Sequence, residues 1–85
     1  MSSQIYVTVL YFASAKDATG SRKESFKLSK DTTIKDLLSK ISITHPKIIN
    51  VLNTMQFSIN YKVVDVNTVL KEGDEVALLP PISGG

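Results

Sequence analysis

The chain has 85 residues, 42% apolar and 21% charged, which fits one globular domain and leaves no room for a second core. A net charge of +2 is too small to imply a nucleic-acid surface, and its ten Lys and Arg residues are scattered apart from a local pair at Arg22 and Lys23. The absence of cysteine excludes a disulfide framework, a thiolate metal site, an iron–sulfur cluster and a cysteine nucleophile.

Residues 5 to 12 are almost wholly β-branched, aromatic or Leu, which predicts a strand. Alternation places Ile5, Val7, Val9 and Tyr11 on one face and Tyr6, Thr8, Leu10 and Phe12 on the other. Apolar residues on both faces suit a strand in the middle of a sheet. One or two helical turns follow over residues 13 to 19, and Gly20 stands where a left-handed residue ends a helix. Residues 22 to 28 alternate, with Phe26 and Leu28 on the inner side, and predict a second strand antiparallel to the first.

Ile34, Leu37, Leu38 and Ile41 stand at i, i+3, i+4 and i+7, the stripe of a helix with one buried face. Thr33 caps it, with Asp36 three residues on as a shortened capping box. Fraying is expected near residues 42 to 45, because Pro46 disfavours helical geometry at His45. Ile48, Ile49, Val51 and Leu52 form an apolar patch that closes one end of the core. Residues 56 to 60 predict a third strand with Phe57 and Ile59 on one face, then a turn at Asn60-Tyr61-Lys62 and a short strand at Val63-Val64. A tight turn at Lys71-Glu72-Gly73-Asp74 leads to a last strand over residues 75 to 79, which Pro80 stops. A mixed sheet with the first and last strands side by side and one helix across a face is the α+β, β-grasp (ubiquitin-like) arrangement. Residues 1–79 are expected to form this domain and 80–85 an extended tail.

No catalytic constellation emerges. His45 is the single histidine, so a multi-histidine metal site is impossible, and it reads as a helix-terminus residue favoured by the dipole. Glu72, Asp74 and Glu75 read as a solvated turn, since a metal site there lacks further ligands. Gly20 and Gly73 are isolated, so there is no phosphate-cradling loop. What remains is the tail Pro80-Pro81-Ile82-Ser83-Gly84-Gly85 and an apolar surface at its root. Two prolines end ladder pairing, and six extended residues at ~3.3–3.6 Å each reach about 20 Å from the body. An end without bulky side chains suits a narrow pocket in another protein; a frayed terminus is the plain alternative. With the helix over the Val7 face, Phe12, Leu79 and Val63 are expected together as an exposed patch.

Val9-Leu10-Tyr11-Phe12-Ala13 near the start and the run from Gly73 through Val76-Ala77-Leu78-Leu79 to Pro80-Pro81-Ile82-Ser83-Gly84-Gly85 resemble the sulfur-carrier small subunits of molybdopterin synthases. Ala18-Thr19-Gly20, His45-Pro46 and residues 57 to 60 extend the resemblance over nearly the whole chain. It implies a non-catalytic carrier within a heterotetramer whose active site lies on the large subunit. Gly85 would be adenylated by an ATP-using (Mg-dependent) E1-like enzyme, converted to a thiocarboxylate, and would give its sulfur to cyclic pyranopterin monophosphate to form the molybdopterin dithiolene. Gly84 would be the slim approach, and Phe12, Val63 and Leu79 would lie on the partner surface. No cofactor or metal is expected on the chain itself, and no nucleic acid or membrane as partner. The alternative is a ubiquitin-like modifier, or a carrier for tRNA thiolation or thiazole synthesis. No apolar run approaches the about 18 residues that span a bilayer, and Met1-Ser2-Ser3-Gln4 has no signal-peptide pattern, so the cytosol is the expected location.

Overall fold

The computed structural model describes residues 3–80. Its elements follow in the order β1 (Gln4–Tyr11), α1 (Ala13–Thr19), β2 (Lys23–Ser29), α2 (Ile34–Thr44), a 3-10 turn (Pro46–Ile48), α3 (Ile49–Leu52), β3 (Gln56–Ile59), β4 (Lys62–Val64) and β5 (Glu75–Leu79). The sheet order is β2-β1-β5-β3-β4, so β1 and β5 are neighbours and run parallel, while the other pairs are antiparallel. The β-grasp expectation is met.

Period-two alternation decides the faces. Ile5, Val7, Val9 and Tyr11 of β1, with Val76 and Leu78 of β5, are buried beneath the helical layer, where Ile34, Leu37 and Ile41 of α2 meet them. Thr33 begins α2 with a complete capping box: its Oγ1 accepts from the Asp36 N–H, and Asp36 Oδ2 accepts from the Thr33 N–H, each at 3.3 Å. Gly20 ends α1 at φ 72°, donating its N–H to the Lys16 carbonyl at 2.8 Å.

Three local expectations are corrected. Helix α2 does not fray at Ser42 but continues through Thr44, with the His45 N–H closing on the Ile41 carbonyl at 2.7 Å. Pro46 then opens the 3-10 turn, where its missing N–H costs nothing. In the apolar patch that follows, Ile48 is the buried plug and Ile49 points to solvent. The acidic turn is only partly solvated, because Asp74 is buried: Oδ2 accepts from the Lys71 N–H at 2.8 Å and Oδ1 from Asn60 Nδ2 at 3.2 Å. Gly73, at φ 82°, gives this turn the left-handed step it needs.

Candidate functional site

Among the described residues no helix packs on the face of the sheet away from α2, and the strand registers assemble a site there. Leu10 pairs with Ala77, Ala77 with Ser58, and Ser58 with Val63, so one row of side chains crosses β1, β5, β3 and β4. The small Ala77 and Ser58 stand between the larger Leu10 and Val63, and the dip they leave is a groove of about 200 Å³. Phe12 and Leu79 close one end, while Tyr61 and Glu75 stand at the other side of the lining. Phe12 is 43% exposed and Val63 60%, and Leu79 is half-buried. Phe12, Val63 and Leu79 therefore line one concave apolar surface, rather than standing singly as most exposed apolar residues do.

Sequence reasoning did not find Ala77, Ser58 or Tyr61. Alternation along β5 does place Ala77 on the same face as Leu79, but the floor of the groove depends on cross-strand register, which no local pattern reports. Tyr61 has a different origin. The two-residue hairpin between β3 and β4 holds both Asn60 (φ 51°) and Tyr61 (φ 75°) in the left-handed region. Asn tolerates that geometry; a tyrosine is strained in it. The turn is pinned because Asn60 Oδ1 accepts from the Glu75 N–H at 3.0 Å while its Nδ2 donates to Asp74. The result is a nearly fully exposed aromatic ring at the margin of the groove.

The parallel β1–β5 pair also fixes where the chain leaves the sheet. Tyr11 pairs with Leu78, so Leu79 emerges beside Phe12 and the exposed Pro80 follows it. Pro80 is the first tail residue; Pro81, Ile82, Ser83, Gly84 and Gly85 lie outside the described residues.

His45 has a more specific setting than a helix end alone. Its Nε2 lies 3.0 Å from Glu24 Oε1, which also accepts the Tyr11 hydroxyl hydrogen at 2.7 Å, and its ring meets Tyr11 edge-on at 6.1 Å. Burial, the hydrogen bond to Glu24 and the carboxylate's negative charge push the Tyr11 phenol well above its ordinary value of 10.0. The cluster ties the end of α2 to β1 and β2 on the covered side of the sheet. We read it as structural. Among the described residues no group of three or more His, Cys, Asp or Glu side chains is placed to hold a metal, and no helix is long and apolar enough to cross a membrane.

Comparison with known proteins gives a consistent picture. The model of the ThiS family matches residues 9–85. The molybdopterin synthase sulfur carrier subunit of Chlamydomonas reinhardtii is 38% identical over 81 residues, covering 93% of this chain and 98% of the relative. Among solved structures, SAMP1 of Haloferax volcanii is 26% identical with a TM-score of 0.82, covering 94% of this chain and 99% of that one. A chain in the protein–protein complex of subunits 1 and 2 of the molybdopterin-converting factor of Helicobacter pylori is also similar. It is 30% identical with a TM-score of 0.66, covering 95% of this chain and 100% of that one.

Proposed function

We propose that this chain, which belongs to the ThiS family, works as the sulfur-carrier subunit of a molybdopterin synthase. The observation that carries the reading is the position of the tail root. Strand β5 delivers Leu79 beside Phe12 at the edge of an apolar groove on the face of the sheet away from α2, and Pro80 follows it directly. A partner that grips the groove therefore also holds the start of the Gly-Gly end.

The chemistry assigned to the tail needs only its carboxylate. An E1-like enzyme joins the Gly85 carboxylate to the α-phosphate of Mg·ATP, releasing pyrophosphate. A sulfur donor then displaces AMP, and the carboxylate becomes a thiocarboxylate. With the tail in the large subunit, the sulfur passes to cyclic pyranopterin monophosphate as the dithiolene is built. Glycine at positions 84 and 85 leaves only backbone for a narrow channel to accept. The body supplies grip and direction, the large subunit supplies the active site, and two copies of each form the heterotetramer. No cofactor resides on this chain, and the cytosol is its place of work.

Intact-mass measurement after incubation with ATP, the activating enzyme and a sulfur donor tests this. One oxygen-for-sulfur exchange located at Gly85 is the expected result; an unmodified terminus overturns the carrier chemistry. A second reading, a ubiquitin-like modifier, is favoured by the likeness to SAMP1, a small archaeal modifier protein. Lysine-linked conjugates in place of sulfur transfer to the pterin would support it instead.

A further inference from the structure

A second groove, of about 510 Å³, lies beside the first. Leu10, Phe12 and Ala13 give it apolar walls, and Lys16, Arg22 and Lys23 ring it with positive charge. Leu10 and Phe12 belong to both grooves, so the two form one continuous surface. Neither the tail chemistry nor the apolar grip uses the three cations.

Sequence alone shows Arg22 and Lys23 as a weak local pair. The fold adds Lys16, because α1 turns back at Gly20 and β2 begins directly beyond it. All three side chains are exposed, and among the described residues none of them is paired with a carboxylate. The acid nearest in sequence on β2, Glu24, is turned to the opposite side of the sheet, where it is held by Tyr11 and His45. The charge at the groove is therefore uncompensated by its own strand. Three like charges set around apolar walls disfavour one another unless an anionic group enters among them.

We propose that this basic groove receives an acidic segment of the large synthase subunit, one carrying at least two carboxylates and an apolar side chain. The inference rests on the carrier reading above and extends it from grip to selection. The apolar groove holds the partner, and the basic groove sets its orientation and speeds encounter, as charge complementarity does at other protein interfaces. Continuity through Leu10 and Phe12 means that a partner seated on the first groove already reaches the rim of the second. The position of Lys16 on α1, of Arg22 just before β2 and of Lys23 at its start puts charge on two sides of the same opening. A single acidic helix end or strand fits between them.

The test compares full-length wild type with the triple variant K16E/R22E/K23E and with Phe12→Ser, measuring association with the cognate large subunit at low and high salt. Circular dichroism first verifies that each variant is folded. The milder set K16Q/R22Q/K23Q serves where charge reversal disturbs folding. We expect charge reversal to slow association at least tenfold at low salt and to lose most of that effect at high salt, where charges are screened. Phe12→Ser should instead weaken binding at both salt concentrations. A folded charge-reversed protein that associates within twofold of wild type at low salt overturns the basic groove and leaves the carrier reading standing. Weakened binding to the activating enzyme alone also overturns it, since the occupant is then the wrong partner. If wild type fails to bind the large subunit at all, the carrier reading falls first and this inference falls with it.

Discussion

The two faces of this sheet are built from the same five strands and have opposite tasks. On the covered face Val7, Val9, Val76 and Leu78 are at most 2% exposed and meet Ile34, Leu37 and Ile41. On the open face Leu10, Phe12, Leu79 and Val63 are equally apolar, yet they border a groove that no other described residue covers. Adjacent residues fall on opposite sides of this division: Leu78 is in the core and Leu79 on the groove. Hydrophobicity alone therefore does not tell stability from recognition. What tells them apart is whether the chain itself supplies the opposite wall.

The sharpest way to break the comparison is to truncate that adjacent pair one at a time. Leu78→Ala should cost ~2–5 kcal/mol in urea or thermal unfolding, because a close-packed interior relaxes only partly around a cavity. Leu79→Ala should cost less, about 1–2 kcal/mol, since its side chain is only partly buried and borders the groove. Equal losses at the two positions would mean that the open face is not open.

Asp74→Ala comes next, with an expected loss of about 1–3 kcal/mol, because it leaves the Lys71 N–H and Asn60 Nδ2 without their acceptor. Asp74→Asn should recover part of that loss. The Asp74 variants also bear on the groove, since Asn60 sets the turn that presents Tyr61.

Tyr11→Phe should cost about 1–2 kcal/mol at neutral pH by removing a hydrogen bond to a carboxylate. It should also change the alkaline limb of the stability curve. Unfolded tyrosine releases its proton near 10.0, whereas folded Tyr11 holds it to higher pH. Above pH 10 the native state thus binds more protons than the unfolded state, so this residue's contribution is complete below that pH and is lost as pH rises beyond it. The variant should show a shallower fall in stability between about pH 10 and 11 than wild type; an unchanged slope would refute the assignment.

The smallest effect on stability is expected at the open face itself. Phe12→Ser combined with Val63→Ser should stay within about 0.5–1 kcal/mol of wild type in unfolding. The same double variant should weaken association with the large subunit at least tenfold, roughly 1.4 kcal/mol. A protein that loses stability but not affinity would reverse the proposed division of labour.

Much of this architecture was legible because it is locally written. The alternation of β1, the Ile34–Leu37–Ile41 stripe, the Thr33–Asp36 box and the glycine at 20 each report through neighbours a few residues away. The patch of Phe12, Val63 and Leu79 followed from alternation plus strand order. What stayed hidden depends on pairs far apart in sequence. Glu24 reaching His45 across 21 positions is one case, and Asp74 buried against Asn60 is another. The gathering of Lys16 with Arg22 and Lys23 was hidden for a related reason: it needs the reversal of direction at Gly20, which sequence gives as a stop but not as an angle. Strain at Tyr61 was also invisible, since a tyrosine is not the residue one expects at positive φ.

The central place of β5 has a consequence for how the protein is made. Of the five described strands it is the last to leave the ribosome, yet it alone joins the β2–β1 pair to the β3–β4 pair. It is completed about twenty residues after β3, which at ~5–20 residues per second takes about 1–4 s. During that interval β1 and β3 each present a bare edge to whatever other chain is near. A translation product that stops before Glu75 would carry both edges permanently and should be recovered as aggregate or in complex with chaperones.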